Sequence, residues 1–186
     1  GLAYAEIVPA FNSPELNRVM SEIPFDLPEM HIDLLADLDQ TLQLNLTVEP
    51  FNYGDESGQV SFAGMNGSLR TNPDLSAELL FSMGELRAEQ PSSQMGISVA
   101  GVNLQSNTEQ MNDLLAPSMA MLVIPAISSS APVPFSVSNI SADSRLQRST
   151  AGPAQIDIHQ GFRVASIAAD IPVESMSLML DFNEVH

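Results

Sequence analysis

The chain has 186 residues, 44% of them hydrophobic, with 23 acidic residues against six Arg and no Lys, for a formal net charge of −17. Six scattered Arg make no basic stripe, which argues against nucleic acid as a partner, and the same sign argument disfavours an anionic membrane surface. With no Cys there is no disulfide framework or thiolate site. The longest greasy stretch, APSMAMLVIPAI at residues 116–127, is too short to span a bilayer and is broken by Pro and Ser. A length of 186 residues fits a single domain, 1–186, with a core of Leu, Ile, Val, Phe and ten Met.

In chain order, Asn12-Ser13-Pro14-Glu15 reads as a cap followed by Pro in a first helical turn, and Leu16, Met20 and Ile23 recur at roughly helical spacing up to Pro24. This predicts a short N-terminal helix within a helix or connector segment, 1–40, that covers part of the protein. His31 to Leu38 (HIDLLADL) fits a helix or a strand equally well. From Thr41 to Val48 (TLQLNLTV), Leu42, Leu44, Leu46 and Val48 alternate with polar residues, the period-2 signature of a half-buried strand.

A phrase then recurs three times: VSFAGMNGSLRT at 60–71, ISVAGVNLQSNT at 97–108 and FSVSNISADSRL at 135–146. In each copy the alternation slips by one residue, because Met65, Val102 and Ile140 follow Phe62, Val99 and Val137 by three positions instead of two. The residue before each is Gly64, Gly101 or Asn139, types that tolerate a left-handed backbone, so each copy is predicted to be a bulged strand. Turn signals and second apolar runs follow: Asn72-Pro73-Asp74 before Ala77, Leu79, Phe81 and Met83, and Gly152-Pro153 before Ile156, Ile158, Phe162 and Val164. The middle copy differs, with a possible helical turn at Thr108 to Leu115 and a strand, MAMLVI, that is apolar on both faces. Met176 to Phe182 (MSLMLDF) closes the series.

The fold expected is mainly β: an antiparallel curved sheet of about eight strands in which residues 41–186 form repeated bulged hairpins. Three units of about 38 residues, near 58–90, 95–127 and 133–168, stack because none can bury its apolar face alone.

From Gly58 to Val185, the recurrent G-x-V-S-F-x-G and P-F-S-V-S-N-I phrases, the Ser- and Asn-rich turns and the amphipathic strand pairs resemble the YdgA-like proteins, an uncharacterised family of the Gram-negative cell envelope. The resemblance implies a periplasmic or envelope location and an N-terminal hydrophobic anchor. The chain begins Gly-Leu with no such segment, so the anchor is expected to precede it. The family brings no catalytic motif.

Chemistry is sparse. His31, His159 and His186 are too far apart to form a local metal motif. His159 lies on the polar side of its strand at i+2 from Asp157, a pairing that fits proton transfer but is commonplace on a solvated strand face. Gly96-Ile97-Ser98-Val99-Ala100 approaches a nucleophile elbow without its second Gly, and Ser61 and Ser136 occupy the same place in the other copies, which favours a column of small residues over a nucleophile. Asp33/Asp37 and Glu85/Glu89 have no spacing that singles them out.

The expected function is therefore non-catalytic, with no cofactor and no metal: a structural or protein-binding envelope protein whose apolar face closes on itself or on the helix, and whose outer polar face, acidic and Ser-rich, meets a protein partner or an extended strand at an open edge. The alternative is a carrier of a hydrophobic, lipid-like ligand in an apolar groove lined by Phe62, Leu79, Phe81, Val99, Met121 and Val123.

Overall fold

A computed structural model describes residues 3–7, 28–56, 58–110, 117–130, 134–152, 155–169 and 172–185. The segment expected to be an N-terminal helix, 12–24, and most of the possible helical turn at 108–115 lie outside them. Every described strand belongs to one antiparallel sheet of fourteen. They are β1 (Ala3–Ile7), β2 (Met30–Ala36), β3 (Leu42–Val48), β4 (Phe51–Gly54), β5 (Gln59–Phe62), β6 (Met65–Thr71), β7 (Ala77–Met83), β8 (Leu86–Gln90), β9 (Met95–Val99), β10 (Val102–Thr108), β11 (Ser118–Ser129), β12 (Phe135–Arg148), β13 (Ile156–Ala168) and β14 (Met176–Val185). The ambiguous HIDLLADL segment is therefore strand for most of its length, and residues 1–40 supply β1 and β2 to the sheet.

The topology is a meander. β3 and β4 follow one another along a single line, as do β5 and β6, β7 and β8, and β9 and β10, while β11, β12 and β13 run through unbroken. Across one half the order is β1-β2-β3-β6-β7-β10-β11-β12-β13-β14; across the other, β4, β5, β8 and β9 lead to the far end of β11.

A row of breaks separates the halves. Val48 pairs with Met65 and Phe51 with Phe62; Met65 pairs with Met83 and Phe62 with Leu86; Met83 pairs with Val102 and Leu86 with Val99. The same two residues therefore separate the halves on each strand, and no register is lost. This differs from the one-sided bulges expected at Gly64, Gly101 and Asn139: the extra residue is matched on both neighbours, so the strands kink together. The three-residue step between apolar side chains recurs at Ile124 to Ile127, Ile140 to Val137, Val164 to Ile167 and Met176 to Val173. The backbone shows how the step is made. Gly64, Gly101 and Asn139 have φ of 90°, 120° and 49°, on alternate lines of the sheet, with Gly84 and Pro125 on the lines between.

Two of the turns share one design. Asp37 to Thr41 and Asn72 to Ser76 close with a backbone bond from the first N–H to the fifth C=O, 2.9 Å in both, and carry Gln40 and Leu75 in the left-handed region. In each the third residue is Asp, whose Oδ1 accepts the N–H two residues on, from Thr41 or Ser76, at 3.0 Å. The backbone bond from Thr41 holds the Asp39 carboxyl below the usual range, and the hydroxyl and N–H of Ser76 do the same for Asp74.

Among the described residues the only buried apolar side chains are Val48 and Val164, at 6% and 4% exposure. The chain exposes 12369 Å², against roughly 8,700 Å² for a compact monomer of its mass. Among the described residues the strands form a single layer.

Three outcomes test this fold. Gly101 is buried, and a Cβ there would lie 2.9 Å from the Met83 carbonyl oxygen at a φ that side chains rarely adopt. Gly101→Ala should cost roughly 1–3 kcal/mol in a urea titration, while Asn139→Gly should be neutral or stabilising. Lowered carboxyl pKa values contribute stability that is present above the unfolded carboxylate range and lost as pH falls through the folded values. The stability gap between the wild type and an Asp39→Asn/Asp74→Asn variant should therefore narrow as pH falls from about 5 to about 3. Val164→Ala should lower the urea midpoint several-fold more than Phe182→Ala, because Phe182 is half exposed.

Candidate functional site

Alternation and register together assign each side chain to a face, because directly opposed residues of antiparallel strands point the same way. One face of the larger half is mainly apolar, with Thr71, Ser106, Thr108, Ser118, Ser144, Gln160 and Arg148 as its polar side chains toward one end. On it Ile32, Leu34 and Ala36 oppose Leu46, Leu44 and Leu42; Leu44 opposes Leu69, which opposes Leu79; and Phe81 opposes Leu104, which opposes Leu122. The row continues through Ala142 and Phe162 to Leu178. From β1 to β14 this face holds no carboxylate at any paired position in that half. A cleft of 340 Å³ opens on it, lined by Leu104, Leu122, Ala142, Phe162, Leu178 and Leu180 with their neighbours.

The opposite face takes the polar residues. Two rows cross its centre, Asn45-Ser68-Leu80-Gln105-Met121 and Thr47-Asn66-Ser82-Asn103-Val123, along a groove of 580 Å³ without a charged lining residue. Side chains bridge neighbouring strands there: the Thr47 hydroxyl donates to Asn66 at 3.4 Å and Ser82 to Asn103 at 3.1 Å.

The six residues expected to line one apolar groove fall in three places. Leu79 and Phe81 are on the apolar face. Met121 and Val123, opposite Gln105 and Asn103, are on the polar face, where Met121 is 52% exposed. Phe62 and Val99 lie beyond the row of kinks; Phe62 stacks at a tilt on Phe51 with ring centroids 5.6 Å apart, and Val99 lies between Leu86 and Ile127. Sequence reasoning missed Leu104, Leu122, Phe162, Leu178 and Leu180 as a group. The signal was there, in MSLMLDF and in the phase of GFRV, but only the register places them side by side.

The charged groups of the polar face gather toward its ends. His159 on β13 sits between two strands: its Nδ1 is 2.5 Å from Asp181 Oδ1 on β14 and its Nε2 is 3.2 Å from Asp143 Oδ2 on β12. Gly161 leaves room for this, since a Cβ there would collide with the Asp143 carboxylate. The close partners of His159 are thus cross-strand, where the sequence had suggested Asp157 at i−2. The ring thus bridges two carboxylates, and the trio is a clamp across β12, β13 and β14. At the other end His31 lies 3.6 Å from Glu29 and 3.9 Å from Glu6, and the Tyr4 hydroxyl donates to Asp33 at 2.7 Å. That bond to a carboxylate raises the Tyr4 pKa. Ser61, Ser98 and Ser136 share one row with Arg87 and Ser128. Among the described residues no group of three His, Asp or Glu is placed to hold a metal ion, and no helix is long and apolar enough to cross a membrane.

No protein-family model, no curated protein and no solved structure matches the chain.

Proposed function

We propose that the chain is a non-catalytic binding or structural protein that works by presenting its apolar sheet face to a protein partner. One observation carries this reading: the face is mainly apolar across ten strands, yet among the described residues only Val48 and Val164 of its apolar side chains are buried. Ten strands at about 4.8 Å and seven residues at about 3.3 Å give a plan area of roughly 1,000 Å². That exceeds the apolar patch of a typical monomer and matches one side of a protein–protein interface. Two apolar sheet surfaces pack about 10 Å apart with side chains interdigitated, so a partner with a sheet or an amphipathic helix fits the chemistry. The acidic groups, directed to the other face and the turns, then stay in water.

The hairpin phrases at 58–90, 95–127 and 133–168 are read within this proposal as three copies of one unit that widens the face. The likeness to the YdgA-like family supports a site of action in the periplasm or envelope of a Gram-negative bacterium. A second reading, a carrier of a lipid-like ligand, is favoured by the cleft of 340 Å³, which has Leu104, Leu122 and Phe162 among its lining residues.

Photo-crosslinking from single positions in the native envelope tests the proposal. A benzophenone side chain at Leu104 or Leu178 should give one discrete protein adduct, and the same group at Gln105, on the opposite face, should not. Lipid-sized adducts from Leu104 and Leu178 would favour the carrier; equal crosslinking from both faces would refute a face-specific partner.

A further inference from the structure

We infer that β14 is a docking edge for a second copy of this chain, and that the copies pair antiparallel about a two-fold axis at Met179. This concerns the edge, not the apolar face, and stands whether or not that face holds a partner.

Among the described strands β14 ends the sheet and pairs only with β13. From Met176 to Phe182 every residue is exposed, including large apolar ones on both faces: Leu178 and Leu180 on one, Met179 on the other. Natural sheets guard such an edge with Pro, Lys, bulges or short length. This stretch has neither Pro nor Lys, and the one register irregularity lies beyond Phe182, toward Val185. Alternate residues of this seven-residue stretch turn their N–H and C=O groups away from β13 and are left as a template.

The sequence of that template is self-complementary. An antiparallel pairing centred on Met179 sets Met176 against Phe182, Ser177 against Asp181, Leu178 against Leu180 and Met179 against itself. Apolar thus meets apolar on one face, and Ser meets Asp on the other. A slip of one residue would set Ser177 and Asp181 beside apolar residues and turn the apolar face of one copy to the polar side of the other, so the pleat itself selects against it. Centring on Asp181 would put two carboxylates face to face.

Charge, which opposes association of two copies of net charge −17, is managed at this edge. The two Asp181 carboxylates stand four residues apart along the strand, about 14 Å, which is beyond the screening length of ~8 Å at physiological salt. Each also has the His159 ring of its own chain beside it, with Nδ1 2.5 Å from Asp181 Oδ1. The axis runs perpendicular to the sheet, so both apolar faces end on the same side and join into one surface.

A chain without Cys permits a clean test on the full 186 residues. Directly opposed residues of antiparallel strands have Cα atoms about 4.5–5.5 Å apart, within disulfide range. Met179→Cys should therefore crosslink to a dimer under mild oxidation, and a mixture of Ser177→Cys and Asp181→Cys chains should form mixed dimers. Ser177→Cys alone, whose thiols would stand about 14 Å apart, should not. In sedimentation equilibrium the Met179→Lys variant should dimerise about tenfold or more weakly than the wild type, because two ammonium groups meet on the axis. Met179 is half exposed, so its variants keep the fold, and circular dichroism checks the fold of every variant, Asp181→Cys included. A wild-type chain that sediments only as a 20.0 kDa monomer, or equal crosslinking of Met179→Cys and Ser177→Cys, overturns the inference.

Discussion

A β-strand that alternates apolar and polar residues commits each of its faces to a different solvent, and an antiparallel meander in constant register carries that commitment from strand to strand. In this chain the alternation holds along most strands, β11 being apolar on both sides, so most of the Leu, Ile, Val and Phe collect on one side of the sheet while Asn and most of the paired charges collect on the other. The described residues put no second layer against the apolar side. Hydrophobic burial, the usual source of stability, is thus realised between neighbours within the sheet, and the largest reserve of it is left for association.

The row of kinks is the second constraint. A sheet of this width must twist, and long uninterrupted strands resist sharp local bending. Placing the break at the same row on every line, with Gly64, Gly101 and Asn139 in left-handed conformations and Gly84 and Pro125 between them, lets the sheet bend without losing register. The same solution explains why Gly and Pro occur deep inside strands, where they would otherwise weaken pairing. The clamp of Asp143, His159 and Asp181 ties the last three strands together on the polar face, so that β14 is held to the sheet from one side while its other edge stays open.

Much of this was legible in the residues, and the limits are instructive. TLQLNLTV and MSLMLDF show their faces without ambiguity, and the parity slip at Gly64, Gly101 and Asn139 marks positions where the backbone does turn left-handed. Its matching on the neighbouring strands was hidden, because a slip at Ala63-Gly64 says nothing about one at Gly84-Glu85 until Phe62 is known to pair with Leu86. The count of about eight strands fell short of fourteen for a related reason: the kinks split long lines into separately hydrogen-bonded pieces, and β1 and β2 carry weak patterns. The candidate groove was harder still. MAMLVI is apolar on both sides, and only the pairing of Met121 with Gln105 and of Leu122 with Leu104 reveals which side of β11 faces the apolar surface. The partners of His159 come from strands 16 and 22 residues away, a distance in sequence that no local pattern bridges.

The account depends on the apolar face being open to water in the isolated chain, and solvent paramagnetic relaxation of assigned methyl groups reads this directly. The methyls of Leu34, Leu44, Leu104, Leu122 and Leu178 should all be broadened by a neutral soluble gadolinium chelate well beyond those of Val164, with Leu178 close to exposed Leu75 and half-buried Leu34, Leu104 and Leu122 between. Protection of the first five to the level of Val164 would mean that the chain covers its own face, and the single-layer account would be wrong.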